Sequence, residues 1–165
     1  MYIKAKKMRD HGSEKKYYHD LIGYNYRMSE FQAAVLNVKM KYIGKWTEMR
    51  RKNAEEYNTR LCEVEQVITP SELEGVKHVY HLYVVRVKNR DKLLMFLKEN
   101  GIGTGLHYPI PLHLTQAYSY LGYKKGAFPV AEKLANEILS LPMYPELTEE
   151  QIDYICEKIK AFYKS

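Results

Sequence analysis

From Ser29 to Leu61 the chain brings an apolar or aromatic side chain back to one side of a helix, turn after turn. Phe31, Ala34, Val35, Val38, Tyr42, Trp46, Met49, Asn53, Tyr57 and Leu61 follow at steps of mostly three and four, the period of an amphipathic helix. Ser29 supplies a capping hydroxyl, and Gln32 three places on completes a capping-box pattern. Unbroken through Leu61, such a helix runs about 50 Å at 1.5 Å per residue. Gly44 costs about 1 kcal/mol relative to alanine inside a helix and marks where it would bend. A helix this long in a chain of 165 residues predicts a connector that reaches past a small domain.

Three segments follow from this. Residues 1–28 are polar and irregular, with a turn at His11-Gly12-Ser13. Residues 29–61 form the connector helix, and residues 62–165 a small α+β domain. In that domain, Val64–Thr69 and His78–Val87 read as strands, rich in β-branched and aromatic residues. A helix starts at Asn89 or Asp91 and ends at Gly101 in the manner of a C′ glycine. Ile102–Tyr108 reads as a third strand. Short helices are predicted at 114–121 and 129–139, the second with Pro129 at its first position. Thr148-Glu-Glu-Gln151 is a second capping box, opening a last helix with Ile152, Ile155, Cys156, Ile159 and Phe162 on one face.

Composition narrows the class. No apolar run is long enough to cross a bilayer, and Met1-Tyr-Ile-Lys-Ala-Lys-Lys-Met lacks the apolar core of a secretory signal. Cys62 and Cys156 belong to no CxxC pattern. Together these features predict a cytoplasmic location with no membrane partner. Residues 1–52 hold 13 Lys/Arg against 5 Asp/Glu, and the remainder 13 against 15. A front section at +8 suits an anionic partner, and equally a solvated face or a surface meeting an acidic neighbouring domain. The sixteen tyrosines are scattered, which reads as packing and interface rather than stacking platforms, so no nucleic-acid partner is predicted. There is no Gly-x-Ser-x-Gly elbow and no Walker loop, and Gly101, Gly103 and Gly105 do not complete a dinucleotide fingerprint.

The chemistry-bearing run is Gly101-Ile-Gly-Thr-Gly-Leu-His107-Tyr108-Pro109-Ile-Pro111-Leu-His113. Each proline fixes its own φ and steers the residue before it toward an extended conformation. The run is therefore a stiff exit presenting imidazole and phenol groups. His107 and His113 lack a third ligand for a metal, so no metal site is predicted. His78 and His81, three apart on a predicted strand, fall on opposite faces and read as an edge and a core histidine. Upstream, Asn25 lies between two tyrosines just before the capped helix. From spacing alone it is a turn residue that tolerates left-handed dihedrals, and its amide could also hold a phosphate or carbonyl.

The run 101–113, together with Gly23-Tyr-Asn25-Tyr-Arg27-Met-Ser29-Glu-Phe-Gln32-Ala-Ala and Ser140-Leu-Pro142-Met-Tyr-Pro145, closely resembles the DegT/StrS sugar aminotransferases. The match runs from Arg9-Asp10-His11-Gly12 to the last helix and covers the rear part of such an enzyme. The resemblance implies the C-terminal small domain of the aspartate-aminotransferase-like (fold type I) architecture: a long connector helix plus a small, mostly antiparallel sheet covered by helices. It implies pyridoxal phosphate as cofactor, a nucleotide-linked keto sugar as substrate, and glutamate as amino donor. Asn25 would contact the cofactor phosphate of a neighbouring subunit, with Tyr24 and Arg27 at the same boundary. His107, Tyr108 and His113 would line the sugar–nucleotide site.

Transamination with this cofactor needs a lysine that bonds to it and shuttles a proton, and a carboxylate at the ring nitrogen. In the resembling family both lie in the front domain, and no lysine of this chain stands in the family's setting for that role. No catalytic residue is therefore assigned. The chain is expected to be inactive alone and to work as a homodimer or with a separate N-terminal half. The alternative is a non-catalytic interaction or ligand-binding module that keeps the small-domain fold.

Overall fold

A computed structural model describes residues 1–164. The chain separates into two compact units, one from Met1 to Gly44 and one from Lys45 onward.

In the first unit, α1 (Tyr2–Met8) leads into a small hairpin of β1 (Ser13–Lys15) and β2 (Tyr18–His19), followed by α2 (Glu30–Met40). Residues 1–28 therefore hold more regular structure than their polarity predicts. Gly12, at φ +76°, is buried where the chain crosses itself. A Cβ there would lie 1.7 Å from the Leu21 carbonyl oxygen, and one on Gly23 would lie 2.0 Å from the Gly12 nitrogen. Only glycine permits this approach. The predicted capping box is present: the Gln32 N–H donates to Ser29 Oγ at 3.2 Å and the Ser29 N–H to Gln32 Oε1 at 3.1 Å.

The long helix is present in two segments rather than one. α2 stops at Met40, Lys41 and Tyr42 form a turn, and α3 runs from Ile43 to Leu61. The interruption falls two residues ahead of Gly44, the position at which a bend was expected.

The second unit is built on a three-stranded antiparallel sheet of β3 (Val67–Ile68), β4 (Tyr83–Val87) and β5 (Ile138–Leu141), with β4 in the middle. Tyr83 pairs with Leu141 and Arg86 with Ile138. Tyr83, Val85 and Val87 are buried and Val84 and Arg86 only partly so, the alternation of a strand with one face on a core. α4 (Arg90–Glu99), α5 (Pro129–Glu137) and α6 (Glu149–Lys164) complete the unit. Tyr57 and Leu61 of α3, Leu93 and Leu97 of α4, Leu139 of β5, and Ile152 and Ile159 of α6 are fully buried in one cluster. This is the α+β small-domain arrangement expected, with Gly101 at φ +75° ending α4 and Thr148–Gln151 capping α6.

Several predicted elements change. The helix expected to reach Leu139 ends at Glu137, and Ile138 turns extended (φ −73°, ψ 140°) to open β5. The strand expected over 102–108 shrinks to one bridge, Gly105 with Ser140. The helix expected at 114–121 is two 3₁₀ turns, Leu112–Leu114 and Gln116–Leu121. His78 and His81 precede β4 rather than lying in it, and both are exposed, so neither is a core histidine. Asn89 caps α4 from a left-handed conformation (φ 53°) with no side-chain cap bond.

One face of α3 holds the segment between β5 and α6. Arg50, Asn53 and Tyr57, spaced three and four apart, donate to successive carbonyls: Arg50 Nη1 to Met143 (2.8 Å), Asn53 Nδ2 to Tyr144 (2.9 Å) and the Tyr57 hydroxyl to Pro142 (3.0 Å). Two positions of the helical stripe thus carry polar tips that donate to backbone carbonyls, Tyr57 to Pro142 and Asn53 to Tyr144, which also accepts from the Leu147 N–H at 3.3 Å. Burial holds the Tyr57 phenol well above its usual range.

Candidate functional site

In the first unit, residues 24–26 pair with the end of α1. The Tyr24 N–H donates to the Met8 carbonyl (2.6 Å), His11 N–H to Tyr24 (2.9 Å) and Tyr26 N–H to Arg9 (2.9 Å), with Asp10 and Asn25 opposite each other. The Tyr24 and Tyr26 rings stack at 4.9 Å and 9°. Arg27 Nε donates to Asn25 Oδ1 at 3.2 Å, and its Nη1 lies 3.6 Å from Asp10 Oδ1. With Oδ1 engaged, the Asn25 amide is left to present its NH₂ as a donor. Asn25 and Arg27 share an open groove of about 700 Å³ with Met28, Phe31, Val35 and Leu36. Part of the basic charge nearby is already used: Lys7 meets Asp20 at 2.6 Å and Glu14 at 2.7 Å, and these two contacts raise its pKa above the ordinary value.

In the second unit, the Gly105–Ser140 bridge sets His107. Gly105 N–H donates to the Ser140 carbonyl (3.0 Å) and Ser140 N–H to the Gly105 carbonyl (2.8 Å). His107 Nδ1 lies 2.9 Å from Ser140 Oγ, and Ser140 is only 4% exposed. The peptide joining His107 to Tyr108 is cis. Tyr108 is 75% exposed, its ring edge-on to His107 at 5.8 Å. These two side chains stand at the surface, as a stiff exit predicts.

His113 turns the other way. Its side chain is 8% exposed, with Nε2 2.9 Å from Glu132 Oε1 and its ring edge-on to Phe128 at 4.8 Å. Glu132 also accepts from the backbone N–H groups of Gly126 (2.8 and 2.9 Å) and Phe128 (3.3 Å). Burial opposes its charge, but the Gly126 N–H, His113 and the Phe128 N–H outweigh it and hold the carboxyl below its usual range. Around this knot, Leu112, Tyr118, Leu121, Tyr123 and Phe128 line an apolar groove of about 530 Å³, a size that admits a small ligand. His107 and His113 thus serve different partners.

The sequence reading missed Ser140 and Glu132 as site residues. Ser140 stood inside the Ser-Leu-Pro-Met-Tyr-Pro motif but was hidden by the helix predicted to run into it. Glu132 carried no local signal, since its partners lie up to nineteen residues away.

A sequence model of the DegT/DnrJ/EryC1/StrS aminotransferase family matches residues 1–160. The chain belongs to this family. It is 52% identical over 164 residues to a "Pleiotropic regulatory protein" of Geobacillus stearothermophilus, covering 98% of this chain and 44% of the relative. It is 35% identical to the dTDP-3-amino-3,6-dideoxy-alpha-D-galactopyranose transaminase of Aneurinibacillus thermoaerophilus, covering 94% of this chain and 42% of that one. Among solved structures, that of S. venezuelae DesV in complex with a ketimine intermediate superposes with a TM-score of 0.94 at 33% identity, over 99% of this chain and 44% of that chain. The fold is that of sugar aminotransferases, and the chain spans less than half the length of these relatives. Among the described residues, no helix is long and apolar enough to cross a membrane.

Proposed function

We propose that this chain is the C-terminal portion of a pyridoxal-phosphate-dependent aminotransferase that aminates a nucleotide-linked keto sugar, with glutamate as donor. The match of residues 1–160 to the aminotransferase family carries the reading. When bound, the cofactor supplies an electron sink that lets an amino group pass between donor and keto sugar. The lysine that bonds to it comes from a segment outside these residues, so the chain is inactive by itself.

Its own residues fit a supporting part. Arg27 donates to Asn25 Oδ1 and so leaves the amide NH₂ as the group with which Asn25 can donate. That donor, beside a guanidinium, suits a phosphate without adding a second full charge. In this reading Asn25 holds the cofactor phosphate of a neighbouring subunit, with Tyr24 and Arg27 shaping the boundary, which requires a homodimer or a docked N-terminal half. His107 and Tyr108, exposed beside one another, contact the sugar nucleotide. His113 contributes by bracing the adjacent groove through Glu132.

The test is reconstitution. The chain alone, and the chain with an N-terminal half carrying the lysine, are assayed with pyridoxal phosphate, glutamate and a panel of nucleoside-diphosphate keto sugars. Turnover only by the pair supports the reading, and no turnover with any sugar removes it. A second reading rests on the 52% identity to a relative described as a regulatory protein: a binding module that keeps the fold without the chemistry. It predicts ligand or partner binding by the chain alone and no gain from the added half.

A further inference from the structure

We propose that Ser140 is a positioning residue that holds His107 in the tautomer with its proton on Nε2, so that the ring offers an N–H to an acceptor oxygen.

The inference starts from a count of hydrogens. A serine hydroxyl has one hydrogen to donate and can accept two hydrogen bonds, while neutral imidazole has one N–H and one bare nitrogen. Ser140 is 4% exposed, and its hydroxyl has one protein partner among the described residues, His107 Nδ1 at 2.9 Å. Its backbone N–H and carbonyl are both taken by Gly105. Were Nδ1 the donor, the hydroxyl hydrogen would sit buried with no acceptor. With Nδ1 bare, the hydroxyl donates and every buried group is paired. Buried donors left unpaired are the costlier and rarer arrangement. The proton of neutral His107 therefore resides on Nε2, which has no protein partner on this exposed residue.

The ring is held in place as well as polarised. A Cβ on Gly105 would lie 2.7 Å from His107 Cε1 and 3.3 Å from Nδ1, so the imidazole rests where any larger residue would project. The same backbone bridge that fixes Gly105 under the ring fixes Ser140 beside Nδ1. Floor and anchor cannot move apart without breaking two hydrogen bonds.

For a site of the kind proposed above, on which the ligand assignment rests, this gives His107 a definite chemistry. It donates to a sugar hydroxyl, a carbonyl or a phosphate oxygen, and in its neutral form it does not act as a base through Nε2.

The ligand-free full chain, labelled with ¹⁵N-histidine, reports the tautomer directly from long-range ¹H–¹⁵N correlations at roughly pH 8, where an imidazole is neutral. The expected spectrum shows His107 Nδ1 at the position of a bare nitrogen and Nε2 at that of a protonated one. Ser140→Ala should shift both nitrogens toward the averaged positions of a mixed population. Gly105→Ala, which keeps the hydroxyl but displaces the ring, should do the same. A wild-type spectrum with the proton on Nδ1 overturns the proposal. So does a Ser140→Ala chain with a lowered melting temperature and an unmoved tautomer, which would leave Ser140 a packing residue. No substrate is present, so these outcomes are independent of whether the aminotransferase reading stands.

Discussion

His113 and Glu132 face one another across 2.9 Å, with side chains 8% and 14% exposed, and the carboxylate also gathers the Gly126 and Phe128 N–H groups. One carboxylate therefore closes the loop between the 3₁₀ turns and α5. Its folded pKa is depressed, so its stabilisation is complete above the ordinary carboxylate value of about 4.3 and fades as pH falls through the lower folded value. Melting curves of wild type and Glu132→Gln should differ at neutral pH, wild type being the more stable. The gap should close only in more acid solution, below the lowered folded value, where the carboxylate is neutral in both states. A gap that persists there would assign the effect to shape rather than charge.

Tyr57→Phe removes the hydroxyl that donates to the Pro142 carbonyl while keeping the ring stacked on Tyr83 at 4.8 Å. The carbonyl loses its donor at a part-buried site, and urea unfolding should show a loss of about 1–3 kcal/mol. Tyr57→Ala should lose more, about 3–5 kcal/mol, because it also opens a cavity in the core.

Gly12→Ala places a methyl group 1.7 Å from a backbone oxygen at a positive φ, a clash no rotamer relieves. Hydrogen exchange should show lost protection at the Tyr24 and Tyr26 amides, which bond to Met8 and Arg9. The amides of β4 should keep theirs. Equal loss in both places would contradict the division into two compact units.

The two thiols should separate in a titration with a disulfide reagent. Cys62 is exposed, whereas Cys156 is buried and burial pushes its thiol up to about 12. One equivalent should react in the native protein near pH 8 and the second only after unfolding, since the thiolate is the reactive form.

Legibility in the sequence followed the range of the interactions. Both capping boxes and the Gly101 stop are built from residues within a few positions of one another, and all three appear where their side chains predict. The break at Lys41–Tyr42 left no trace in the periodicity, because Tyr42 and Trp46 continue the apolar spacing across it. β5 was hidden for a related reason: Ile138-Leu139 extends the pattern of α5, and no glycine or proline separates helix from strand. What makes it a strand is its pairing with β4, about fifty residues earlier in the chain. The site divides the same way. The motifs flagged Asn25, His107, Tyr108 and His113, but not that Arg27 would orient one, Ser140 another and Glu132 a third.

The three carbonyls that hang from Arg50, Asn53 and Tyr57 begin two residues beyond Ser140. The imidazole of His107 is thereby moored, through one strand, to helix residues 50 to 57 positions behind it in the chain. A tilt of that helix would tow the serine and swing the ring with it, so substitutions along α3 can retune what the surface histidine reaches without touching it.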